Sequence, residues 1–253
     1  MNTKLSTAFA LLLLFSLCSG FKRKPKNATA HLFIRFENFV GNRPLKLNDS
    51  LNKYTNANGD DFYITTFKYY VSNIVLTKKN GETVSLPESY FLINAADSST
   101  WAQELRDVPE GKYKSIRFII GVDSLRNFAG AQTGLLDPSK GMFWTWKSGY
   151  IFVKMEGVSG KSTSKKNRLT FHIGGAIAPE NTIRSFAQDF PKTLKIRNEK
   201  DPQIDIAVNA AALFKGKTTV DFSKLNFTMG GPQSVIIADN YANGLFTVTN
   251  VRK

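Results

Sequence analysis

Apolar and polar residues alternate with a period of two along most of the chain. In residues 30–39, Leu32, Ile34 and Phe36 take one parity and His31, Phe33 and Arg35 the other, as in a strand with one buried face. Residues 62–77 (FYITTFKYYVSNIVLT) are β-branched and aromatic, and Lys78-Lys79-Asn80-Gly81 closes them as a hairpin turn. The spacing predicts a return strand over 82–86, further strands at 90–94 and 113–120, and helical turns over 95–109 around Trp101, Leu105 and Val108. Residues 168–173 (RLTFHI) read as a strand returning against 150–157 across the polar turn 160–167. Weaker strands at 182–186 and 193–196 follow, then a strand at 204–208 and a helical turn at 210–214. A short helix near 235–240 and a closing strand at 245–251 complete the chain. Many short strands with turn signals between them argue an all-β fold, a β-sandwich with short helical insertions.

One stretch breaks the pattern. Residues 121–157 open with a loop rich in Gly, Asn, Asp and Gln, then enter Met142-Phe143-Trp144-Thr145-Trp146. On a strand that spacing places Trp144 and Trp146 on one face. Before Ser148-Gly149 the even positions carry the bulk; after it Ile151, Val153 and Met155 do. Such a one-residue slip predicts a β-bulge or strand break at Ser148-Gly149.

The N-terminus changes the compartment. Residues 1–20 have Lys4, an apolar run from Ala8 to Leu17 and small residues after it, the pattern of a secretion signal, and the run is too short for a stable membrane span. Cys18, the single cysteine, stands where a bacterial lipoprotein carries its lipid, and cleavage after Gly20 is the rival processing. The expectation is an exported protein of the periplasm or cell envelope, soluble or tethered through Cys18, with no intrachain disulfide. Residues 21–29 read as a basic tether and 30–253 as the folded domain. The formal charge of +14 is spread over small basic islands without interleaved aromatics, which argues against nucleic acid as a partner.

Catalytic constellations are scarce. The chain has no GxSxG, HExxH, P-loop or dinucleotide fingerprint, and His31 and His172 are its two histidines, so the expectation is a protein that is not an enzyme. The soft metal donors beyond the leader are His31, His172, Met142, Met155 and Met229. His172 carries most weight, on the strand that pairs with the one leaving the tryptophan motif. A lone strand histidine is more often a hydrogen-bonded wall residue than a ligand.

GVDSLRN, LDPSKGMFWTWKSGYIFVKMEG, FHIGG and IADNYANGLFTV together resemble the MbnP-like family, over about residues 30–251. The resemblance implies an exported bacterial β-sandwich that binds one copper ion. It also implies a tryptophan oxidised to kynurenine by a partner di-haem, peroxidase-like enzyme. On this chain it implies His172 first, His31 second and Met142 third as copper ligands, with Trp144 or Trp146 as the oxidised residue. Arg126 stands where relatives often carry a histidine, and Lys147 where an asparagine is expected.

Two other readings draw on the same 121–157 stretch. Trp144 and Trp146 could form an aromatic platform in a surface-tethered binding or scaffold module without metal. Asp123, Asn127, Gln132 and Asp137 could offer oxygen ligands to calcium, although their spacing matches no EF-hand.

Overall fold

The first alternating run forms strand β1 (Thr29–Val40), with Leu32, Ile34 and Phe36 fully buried and His31 and Arg35 exposed. The computed structural model describes residues 28–198 and 200–252; the leader 1–20, Cys18 and the tether as far as Asn27 lie outside the described residues. Two short strands, β2 (Arg43–Pro44) and β3 (Tyr54–Thr55), follow in the Asn-rich loop. The β-branched run is β4 (Asp61–Lys78), and its hairpin partner β5 (Thr83–Asn94) joins the two return strands expected separately. The interruption between them is real: Ser72 pairs Tyr90 but Ile74 pairs Leu86, and Glu88 takes a φ of 62° in the extra residues.

Residues 95–109 correct the sequence expectation. A single 3-10 turn at Ser98–Thr100 leads into a strand, β6 (Ala102–Pro109), where helical turns were predicted. Leu105 and Val108 are both buried although three residues apart, because β6 bulges: Leu32 pairs Leu105 while Ala30 pairs Val108, and Asp107 sits at φ 56°. A bulge therefore imitates helical spacing.

Strand β7 (Gly111–Ile120) is followed by a one-turn helix α1 (Ser124–Asn127) and the tryptophan segment, β8 (Phe143–Thr145) and β9 (Gly149–Tyr150). Strands β10 (Val153–Val158) and β11 (Arg168–Ile173) make the expected hairpin. Then come β12 (Arg184–Ile196), β13 (Gln203–Asn209), β14 (Phe227–Met229), helix α2 (Gly231–Tyr241) and β15 (Phe246–Arg252).

Two sheets face each other. The first has the order β15-β13-β1-β2, with β6 also on β1, and the second the order β12-β7-β4-β10-β11-β14, with β3 and β5 also on β4. Between them one apolar cluster runs from Ala30 to Val251. The all-β sandwich with short helical insertions is thus the fold. Among the described residues no helix is long and apolar enough to cross a membrane.

The second sheet changes partner at Tyr70, and this positions the site. The Tyr70 amide donates to Phe152 O at 2.9 Å, while Tyr70 O accepts the Gly121 amide at 3.0 Å. Into that switch folds the segment between Gly121 and Phe152, around a second small core of Tyr70, Val122, Leu136, Met142, Tyr150 and Phe152.

Candidate functional site

The expected break at Ser148-Gly149 is a hairpin turn. Strand β8 ends at Thr145, residues 146–148 turn, and Gly149 begins β9 at φ 75°. Asn127 explains why glycine is needed: a Cβ on Gly149 would lie 2.3 Å from its amide, whose Oδ1 accepts the Tyr150 N–H at 2.8 Å.

Because the strand stops at Thr145, the same-face rule does not reach Trp146. Trp146 sits in the turn, 68% exposed, with the Lys147 ammonium 5.3 Å from its ring centroid. Trp144 is half-buried on a different seat. A Cβ on Gly174 would lie 2.8 Å from its Cζ3, and one on Gly230 would lie 3.8 Å from its Cη2, so the benzo edge of the indole rests on two bare backbones. Those glycines end two neighbouring strands, β11 and β14. Trp144 walls a cleft of about 440 Å³ lined also by Lys147, Gly174, Glu180, Met229 and Gly230.

His172 lies next to this cleft, in the last turn of pleat before Gly174, and is 7% exposed. Phe171 and Ile173 enter the core, so His172 faces the outer side of the second sheet. Across that face Lys68, Lys154, His172 and Met229 stand in register on four adjacent strands. Nε2–H of His172 donates to Glu156 Oε1 at 2.8 Å; Glu156 also accepts from Thr66 at 3.0 Å and has the Lys154 ammonium at 3.6 Å. Burial pushes the His172 pKa below its ordinary value, the Glu156 hydrogen bond opposes this, and Lys154 adds to the lowering. For Glu156 burial alone would raise the pKa, but the bonds from His172 and Thr66 and the Lys154 charge outweigh it, so it stays a carboxylate. A neutral ring with Nε2–H bonded to a carboxylate keeps its lone pair on Nδ1, and Nδ1 has no hydrogen-bond partner among the described residues.

The other expected residues do not gather here. His31 is on the outer face of the first sheet, exposed and bonded through Nδ1 to Glu104. The sandwich core separates it from His172, since sheets alone stack about 10 Å apart. Met142 is fully buried in the small core among Tyr70, Val122 and Tyr150. Met229, half-exposed and opposite His172, is the soft donor whose place the sequence hid: only the parallel pairing of β11 with β14 reveals it.

Arg126 pairs with Glu88, donates to Gln132 at 3.0 Å and lies over the Tyr90 ring. The oxygens considered for calcium are committed separately. Asp123 caps α1 and accepts from Tyr90 and Asn73, Asn127 holds Tyr150, and Asp137 caps the turn at Pro138–Lys140. Among the described residues no three His, Cys, Asp or Glu side chains are grouped to hold a metal.

These features define a two-sheet β-sandwich with a tryptophan-walled cleft at one sheet edge and a carboxylate-anchored histidine beside it. The MbnP family model matches residues 29–234, and the chain belongs to that family. MbnP from Methylosinus trichosporium has the same fold, with a TM-score of 0.53 over 83% of this chain and 87% of that one at 16% identity. No curated protein matches the chain.

Proposed function

We propose that this chain is a non-enzymatic copper-binding protein of the bacterial cell envelope, with its metal site at the β11–β14 edge. The observation that carries the reading is the register of His172 with Met229 beside the Trp144 cleft. In-register side chains on adjacent strands start about 5 Å apart, close enough for one cation between imidazole and thioether. Those donors suit reduced copper. A ligating histidine characteristically gives its other N–H to a carboxylate, and Glu156 takes that place. His172 and Met229 fit the ion; His31, on the opposite sheet, and Met142, in the core, are not part of this set.

Trp144 rather than Trp146 is the candidate for oxidation, because it lines the cleft that Met229 also lines. Conversion to kynurenine breaks the indole C2–C3 bond and adds an oxygen atom to each carbon, an oxidation that needs dioxygen or peroxide at a partner di-haem enzyme; water then releases the former C2 as formate and leaves the free aniline. The product would add an amine and a ketone to the donors at this edge.

Competition titration with reduced copper tests the reading. Wild-type chain is expected to retain the ion, His172→Ala to lose it, Met229→Ala to bind more weakly, and His31→Ala to bind as wild type. Retention by a His172→Ala/Met229→Ala double variant, or no retention by the wild type, overturns it. Intact mass of protein made in its native host reads the oxidation separately. The exposed Trp146 favours the metal-free binding module as the second reading; that module would survive loss of copper binding and fail on Trp146→Ala.

A further inference from the structure

The end of the sandwich from which the N-terminal segment departs carries a surface rich in lysine and arginine. Ala28 O accepts the Glu110 amide at 2.8 Å and Thr29 pairs with Pro109, so the chain enters beside the β6–β7 turn. At that turn the Lys79 amide donates to Lys112 O at 2.7 Å, and Lys112 pairs directly with Lys195 across β7 and β12. Lys114 is two residues on from Lys112, and Arg197 two residues on from Lys195. Lys79, Lys112, Lys114 and Arg197 are exposed, and no carboxylate among the described residues pairs with them. Of the acids at this end, Glu82 is bonded to Lys78 and Glu110 accepts the Asn198 amide; Asp107 and Asp201 are exposed, fewer than the lysines and arginines around them. Exposed like charges gathered in this way attract a surface of opposite sign, and Lys79, Lys112, Lys114 and Arg197 supply them here. Lys22, Arg23, Lys24 and Lys26 precede Ala28 in the chain, and Lys26 can lie no more than about 7 Å of extended chain from it.

We propose that this end is a docking surface for an anionic phospholipid bilayer, which holds the sandwich with the β4–β5 and β6–β7 turns toward the membrane. Clustered lysines and arginines next to a chain's point of attachment are attracted by such a surface. The other basic cluster, Lys161, Lys165, Lys166 and Arg168, belongs to the β10–β11 turn, where Val158 pairs with Tyr63 near the start of β4. Lys78 is at the far end of that strand, up to roughly 50 Å away. A lipid on Cys18 would leave ten residues to Ala28, at most about 36 Å, so the near end would meet the membrane first.

Vesicle sedimentation tests this on the full chain produced in a secreting bacterial host. Vesicles of phosphatidylcholine are compared with vesicles that also contain phosphatidylglycerol. The readout is the ratio of affinities, in which any lipid or apolar anchor cancels. The parent is expected to prefer the anionic vesicles and to lose the preference with added salt. Each near-end charge removed should cost about fivefold, so a Lys79→Gln/Lys112→Gln/Lys114→Gln variant should lose about a hundredfold. Lys161→Gln/Lys165→Gln/Lys166→Gln removes equal charge from the other end and should leave the ratio within about twofold. Equal losses in the two triple variants, or no preference in the parent, would overturn the proposal. A melting curve for each variant separates lost binding from lost fold.

Discussion

His172 joins two properties that usually exclude each other, near-complete burial and a lone pair left over for a ligand. Its pKa lies below the ordinary 6.5, so the unfolded chain takes up a proton at a pH where the folded chain does not. The stability from the neutral ring is therefore complete above about pH 6.5 and is lost as the pH falls through the lower folded value. Glu156, also lowered, adds a loss of the same sign further into acid. Urea midpoints followed downward from neutral pH should fall in the wild type and fall less in His172→Gln. Copper held at Nδ1 should likewise survive to a lower pH than at an ordinary histidine. At neutral pH His172→Ala should also cost about 1–3 kcal/mol, since it strips Glu156 of a buried partner. At this scale the sequence was only half legible: FHIGG marked His172, but nothing in its neighbours named Met229, which is 57 residues further on.

Among the elements, the β8–β9 hairpin owes its position to what is missing opposite it. Gly174→Ala would put a methyl 2.5 Å from Tyr150 O and 2.8 Å from the Trp144 ring, and the backbone carbonyl cannot yield. We expect the indole to leave its seat, with a red-shifted tryptophan emission and a loss of about 1–3 kcal/mol from overpacking. Unchanged emission would show that Trp144 is not held there. The strand break at Ser148-Gly149 was legible because the phase of the apolar positions slips by one residue. Strand β6 was not, because a bulge at Asp107 gives Leu105 and Val108 a helical interval. The indole pair failed for a related reason: the i, i+2 rule holds only while the strand lasts, and β8 ends at Thr145.

Across the whole molecule the sheets are tied by rings. Phe36 and Phe246 of the first sheet pack edge-on against Tyr69, and Phe246 reaches Phe118 and Phe186 of the second at 5.1 and 5.8 Å between centroids. Phe246→Ala should cost about 3–5 kcal/mol. It should shift circular dichroism and fluorescence unfolding curves together, because both sheets share the one main core that contact belongs to. Separate shifts would mean that the sheets melt apart. The sandwich class was legible from alternation alone; the order of strands was not, since no local pattern says that β1 lies beside a strand 170 residues later. That parallel pairing of Phe33 with Gln203 has a consequence for how the molecule comes into being. A chain emerging N-terminus first can complete its β4–β5 and β10–β11 hairpins early, since their partners are close in sequence. The middle of the first sheet must wait for β13 and β15, the last fifth of the chain, to arrive. Loop closure over that distance makes folding slow. Until then β1 has β2 and β6 beside it but lacks its parallel neighbour β13, so the first sheet is the last part of the molecule to close.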